Sequence, residues 1–203
     1  MTQTLGDFVD ISTGYPFRGR IEPSKEGEAF VVQARNIGPD GEIFTDSLVC
    51  SELTGKKDPG WLKFNDIIFL AKGTKNTASL VKDLPDNTVC SPHFFRLRVK
   101  ASKQKSVLAE FICWQLNQEA AQRYFKVSAE GSLQVSIRKT ILQDTSIALP
   151  DVATQNSLVE LHRNVIREKK TYEKLIENRQ LEMAAIASVL LKKPMTTDEQ
   201  NDY

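Results

Sequence analysis

Histidine and cysteine are scarce in this 203-residue chain, with two of the first and three of the second. His93 and His162 lie in different segments, and Cys50, Cys90 and Cys113 are widely spaced and odd in number. That leaves no metal-ligand cluster and no disulfide framework, and it fits a reducing compartment. A glycine-rich phosphate loop is also missing. Gly73-Thr74-Lys75 lacks the upstream glycine and trailing Ser/Thr of a Walker element, and no glycine turn of the adenosylmethionine-binding type occurs. No apolar run approaches the length of a membrane span, and the start, Met1 to Asp7, has neither a basic nor an apolar leader region. The formal net charge is only +1, so bulk charge neither suggests nor excludes a polyanion; only a local basic face could hold one. The expectation is a cytoplasmic protein with no membrane association.

Catalytic constellations are equally thin. Cys90-Ser91-Pro92-His93 has the residue types of a nucleophile and its base. Three positions along a strand with a proline between them make that contact geometrically poor, so a buried Cys90 and a loop-edge His93 is the plainer reading. Asp46, Glu52, Asp58 and Asp66 are scattered among turn residues rather than gathered to hold a cation.

What is present begins with Ala153 to Leu191, which contains no proline and no glycine. Leu158, Leu161, Val165, Tyr172, Leu175, Ile186 and Val189 fall on one heptad repeat, a coiled-coil seam rather than a broad amphipathic stripe. Glu168, Arg179 and Glu182 occupy the remaining seam positions. A parallel pair would set each charge against its own copy. An antiparallel pair centred between Tyr172 and Leu175 sets Leu158 against Val189′, Leu161 against Ile186′ and Glu168 against Arg179′, and leaves only Glu182 against Val165′ awkward. Charges that punish one arrangement and satisfy another specify orientation, so the seam predicts an antiparallel pair. The alternative is an ordinary amphipathic helix folded back on its own chain.

Before that helix the pattern is α+β. Leu5 to Ile11 is a short amphipathic element, and Ala29–Gln33 and Leu62–Leu70 read as strands. Val89–Val99 is a third strand region, with Arg96 and Arg98 on one face and Phe95, Leu97 and Val99 on the other. A helix from a Ser106 cap to about Tyr124 follows, then a strand near Thr145–Leu149, with Asp151 as candidate cap of the long helix. The expected fold is a globular mixed-sheet domain over residues 1–150, a long C-terminal coiled-coil helix over 151–193, and a polar, disordered tail over 194–203.

Loops at the strand ends carry a recurring set of polar side chains: Arg18 and Arg20, Arg35 and Asn36, Lys72, Lys75 and Asn76, Ser132 and Gln134, and Arg138 with Lys139. Arg and Lys suit phosphates and guanine edges; Asn and Gln suit adenine. The same residues also make ordinary solvated turns, and Arg96 and Arg98 read equally as a solvated strand face or a phosphate track.

Several motifs taken together resemble the DNA-specificity (S) subunits of type I restriction–modification systems. They are Leu5-Gly6-Asp7 leading to Gly14, Leu62-Lys63-Phe64-Asn65-Asp66-Ile67-Ile68-Phe69, and Ala71-Lys72-Gly73-Thr74-Lys75-Asn76-Thr77-Ala78. Trp114-Gln115-Leu116-Asn117-Gln118 follows with Ala121-Gln122, then Gly131-Ser132-Leu133-Gln134-Val135-Ser136-Ile137, and Leu149-Pro150 with Gln155. The resemblance implies a target-recognition domain followed by a spacer helix, a unit that occurs twice in full-length members, with antiparallel helices holding the two domains on DNA. It implies no catalytic site. The partners implied are double-stranded DNA and adenine-N6 methyltransferase subunits, which hold S-adenosylmethionine; a restriction motor subunit can join them. This chain carries one such unit, so an antiparallel homodimer reading a palindromic bipartite site is expected. A helix of that length spans roughly 55–60 Å at about 1.5 Å per residue, enough to separate two domains by one DNA turn of about 34 Å. Lys72 stands where many relatives have arginine, which replaces a bidentate contact by a point charge. The alternatives are a silent or competing half-subunit, a coiled-coil protein adaptor, and a Cys90/His93 enzyme.

Overall fold

The computed structural model describes residues 3–53, 58–73, 75–129 and 136–191. Two compact units separate within it, Met1–Glu160 and Leu161–Tyr203. The first is α+β, as the sequence pattern predicts. It opens with α1 (Leu5–Phe8), β1 (Val9–Thr13), β2 (Ala29–Val32), β3 (Val49–Ser51), β4 (Ile67–Leu70), β5 (Ala78–Leu80), β6 (Thr88–Cys90) and β7 (Phe94–Val99). Helices α2 (Ala109–Leu116), α3 (Glu119–Ser128) and α4 (Lys139–Gln143) follow, and then α5 (Val152–Leu190).

Two sheets form. One has the order β1-β7-β4-β5 with antiparallel neighbours; the other has the order β3-β2-β6, with β2 and β6 parallel. Strand β4, Ile-Ile-Phe-Leu, is buried on both faces, and its alternating side chains divide between two cores. Ile67 and Phe69 join the main core with α1, α2, α3 and α4; Ile68 and Leu70 join a second with Val32, Leu62 and Phe94. An unbroken apolar run is what a strand covered on both faces requires. Phe69 meets Phe125 of α3 edge-on, ring centroids 5.0 Å apart.

Several elements differ from the sequence expectation. The Leu62–Leu70 strand shortens to β4 because Asn65 turns the chain at φ 66° and the Asp66 N–H bonds back to the Lys63 carbonyl. The Val89–Val99 region is two strands, in different sheets. The single helix from Ser106 to Tyr124 is α2 and α3. Asn117 interrupts it by bonding both the N–H and the C=O of Ala78 on β5, at 2.9 and 2.8 Å, and Gln118 is extended. Ser106 is not its cap. The Leu108 N–H that opens α2 donates to Gln155 Oε1 (3.0 Å), while the Gln155 amide donates to the Ser106 and Pro150 carbonyls. Thr145–Leu149 is not a strand; Ser146 makes one bridge to Thr4, and Gln115 holds Ala148 by both its backbone groups. Strands β3 and β5 and helix α4 are absent from the expected pattern.

Asp151 caps α5 as expected, its carboxylate accepting from the Thr154 N–H (2.9 Å) and hydroxyl (3.0 Å). These bonds, the backbone one foremost, hold its pKa below the usual 3.8. Gln155 and Val159, one turn apart, are buried, so the first turns of α5 pack with the globular unit, which runs to Glu160. In the second unit Leu161, Val165, Tyr172, Leu175, Ile186 and Val189 are all exposed. The expected tail 194–203 lies outside the described residues.

Candidate nucleic-acid interface

Three loops meet at Ser91-Pro92-His93, the connection between the two sheets. The Ser91 N–H donates to the Val32 carbonyl (2.9 Å), fixing the end of β2, and the Tyr15 N–H donates to the Cys90 carbonyl (2.8 Å). Gly14 makes this approach possible, since a Cβ there would collide with the Ser91 and Cys90 carbonyls. The His93 carbonyl accepts from Ala71 (2.9 Å) and Lys72 (3.3 Å), and Ile137 in turn donates to the Ala71 carbonyl. Lys72 also bridges Ser136. Backbone pairing therefore brings the loop after β4 and the segment before α4 to the same place.

Beside this junction lies a groove of about 820 Å³, whose walls include Phe17, Arg20, Gln33, Arg35, Ser91 and His93, with Glu22 as its acidic member. Arg20, Arg35 and His93 are exposed. Among the described residues, the Gln33 Nε2 and Ser91 Oγ atoms are buried with no hydrogen-bond partner. Such groups are costly to leave unpaired, by about 1–3 kcal/mol each.

The predicted residues thus divide. Arg20 and Arg35 line the groove, and exposed Lys72 and Arg138 are tied to its His93 wall through the pairing of 71–72 with 136–137. Exposed Lys75 follows in the same loop, and Arg18 is exposed two residues before Arg20. Asn36 and Asn76 are corrected. Asn36 is fully buried, its Oδ1 accepting from the Gln33 N–H and its amide donating to Ser47 O and Oγ. Asn76 is buried and donates to the Leu70 carbonyl, closing the loop on itself. Asn at a loop start reads as a base reader or a loop staple from sequence alone, and both here are staples. Ser132 and Gln134 lie outside the described residues. Gln33 and Ser91 were not candidates; a Gln closing a strand and a Ser inside a Cys-Ser-Pro-His run carry no distinctive signal.

Arg96 and Arg98 are neither a solvated face nor a phosphate track. Arg98 makes a bidentate pair with buried Asp66 (both bonds 2.6 Å), and both arginines donate to the Trp61 carbonyl at 3.2 Å. The Asp66 hydrogen bonds, above the cost of burial, push the Arg98 pKa up. Cys90 is buried and its thiol is pushed up to about 12 by that burial, so it stays protonated, far from a nucleophile's condition. No helix among the described residues is long and apolar enough to cross a membrane.

The family model for the type I restriction modification DNA specificity domain matches residues 1–182. Among solved structures, the S subunit of the type I restriction-modification system from M. genitalium is similar over 95% of this chain and 46% of its own, with TM-score 0.57 and 16% identity. A chain solved in work on complex assembly and conformational transition of the type I R-M system gives TM-score 0.66 at 16% identity, covering 100% of this chain and 51% of its own. The HsdS subunit from Thermoanaerobacter tengcongensis gives 0.59 at 17%, covering 91% and 46%. At such identities the likeness is one of fold, and the chain spans about half the length of each. No curated protein matches it in sequence.

Proposed function

The chain belongs to the type I restriction modification DNA specificity domain family, the non-catalytic DNA-recognition component of its complex, and from that premise we propose how this member reads DNA. Two copies pair antiparallel through the heptad seam of α5, and each globular unit reads one half of a two-fold symmetric, split site. The groove at Ser91–His93 and the loops tied to it face the duplex. Arg20, Arg35, Lys72, Lys75 and Arg138 hold phosphates or guanine edges. The observation that carries this reading is the backbone pairing that gathers three cation-bearing loops around one exposed loop. Methyltransferase subunits, holding S-adenosylmethionine, take their position from the bound dimer and supply the chemistry; a restriction motor subunit joins the same assembly.

Seam exposure and seam charge both favour the pairing. Each Glu168 would meet an Arg179′, and Arg179 already bonds Glu182 of its own helix at 2.6 Å. Arg179 can therefore serve Glu168′ and still neutralise the one charge that the antiparallel register leaves facing an apolar residue.

Reversal of charge at Arg20, Arg35 and Lys72, each to Glu, tests the surface. We expect specific DNA affinity to fall by at least about 100-fold, and the salt dependence of binding to flatten by about 0.9 in log–log slope for each phosphate that is no longer neutralised. An unchanged affinity and slope, with the fold intact by circular dichroism, would place the reading surface elsewhere.

A further inference from the structure

Phe111, Trp114, Ala121, Leu149, Pro150 and Leu158 wall a second groove of about 580 Å³ on the globular unit, on the side formed by α2, α3 and the first turns of α5. Its lining is mostly apolar, and the Phe111 and Trp114 rings stack at 5.5 Å along it. A groove of this size accommodates more than one apolar side chain. Leu158 has two roles here: it is one wall of the groove and the first residue of the heptad seam. A helix laid along the seam must enter the groove at its end.

We propose that the groove receives the last turn of the partner copy's α5, with Val189 and Leu190 as the occupants. This rests on the antiparallel pairing proposed above and specifies where its ends go. The register that matches Glu168 with Arg179′ sets Leu158 opposite Val189′, so the partner's last turn arrives at the groove and nowhere else. That turn carries three consecutive apolar residues, exposed by 70, 77 and 81%. Val189 is the seam residue of the three; Leu190, at the neighbouring position, flanks the seam, whereas Leu191 stands about 200° round the helix from Val189 and faces away from it. Two exposed apolar side chains and an apolar groove at the same register position cover each other. In the two-fold dimer the contact occurs twice.

Contact quenching of bimane fluorescence by tryptophan reads this directly. The full chain is made with Cys50→Ser and Leu190→Cys, and labelled at 190; Cys90 and Cys113 are buried. Dimer mass is followed by sedimentation. In parallel, a chain with Leu158→Cys and Val189→Cys reports the antiparallel register through a 158–189′ cross-link. We expect bimane emission to fall several-fold as the dimer forms and to recover with Trp114→Phe while the dimer mass is kept. A labelled Trp114→Phe chain mixed with excess unlabelled chain should be quenched again, because the quencher acts between copies. Dimers that cross-link 158–189′ yet leave the label unquenched would overturn the groove assignment and spare the pairing. A chain that stays monomeric, or cross-links 158–158′, would overturn both. Should the label itself disturb the end of α5, Ala121→Trp, which fills the groove, gives a second reading: the amides of 187–191 should then exchange faster with dimer mass unchanged, and unchanged exchange would refute the contact.

Discussion

Asp66 shows how a residue in a turn becomes a structural centre. It is 1% exposed and accepts both guanidinium bonds of Arg98 together with the Lys63 N–H at 2.8 Å. Breaking a fully buried pair by removing one partner costs about 3–5 kcal/mol; the Arg98 side chain is 34% exposed, and solvent screens the charge left behind. Asp66→Asn should therefore destabilise the globular unit by about 2 kcal/mol, lowering its Tm by on the order of 5 °C in thermal denaturation, while DNA affinity below that Tm, on the proposed reading, should be unchanged. Asp151 gives a pH prediction. Its carboxyl lies below the ordinary 3.8 because the Thr154 N–H bonds its charged form. A lowered pKa contributes stability that is present above 3.8 and lost as pH falls through the folded value. Protection of amides 153–155, taken relative to their intrinsic exchange rates, should then fall in acid in the native chain, and show no such acid step with Asp151→Asn, which keeps an acceptor at every pH.

At the scale of elements, α5 tests the pairing by charge. Glu168→Arg sets like charges at both symmetry-related seam positions and should weaken the dimer about tenfold, as should Arg179→Glu; the double reversal should restore it, read by sedimentation equilibrium. Restoration by the double variant is what a parallel pair cannot give. This helix was the most legible element in the sequence, because a 3.5-residue period over five heptads needs no knowledge of the rest of the chain. Strand β7 was legible for the same reason: its apolar and arginine residues alternate, and the sheet keeps them on opposite faces. What escaped was set by contacts distant in sequence. Nothing near Asn117 says that it will clasp Ala78 and split a helix, and nothing near Gln155 says that it will cap α2. Three-residue strands such as β3 and β5 are too short for a period to show. In the candidate site, the exposed cations were readable as residue types, but only the pairing of segments 70–72, 91–93 and 136–137 put them together. Asn36 and Asn76 had the right chemistry for bases and were spent on their own loops.

At the scale of the whole molecule, recognition and spacing are divided between two kinds of structure. On the proposed reading the globular unit carries the loops that distinguish sequence, and α5 carries a seam whose charges choose an orientation. In the proposed dimer, identical copies paired antiparallel present identical reading surfaces related by a two-fold axis, and that symmetry would reappear in the target. In the proposed reading a methyltransferase partner supplies the chemistry, and the target symmetry would become visible in where that partner acts. The decisive measurement is a genome-wide map of N6-methyladenine in a methylation-free bacterial host expressing the methyltransferase subunit with and without this chain. The account predicts a split palindromic motif that appears only when the chain is present. An asymmetric motif would contradict the homodimer, and no new motif beside a folded, active methyltransferase would contradict the specificity role itself.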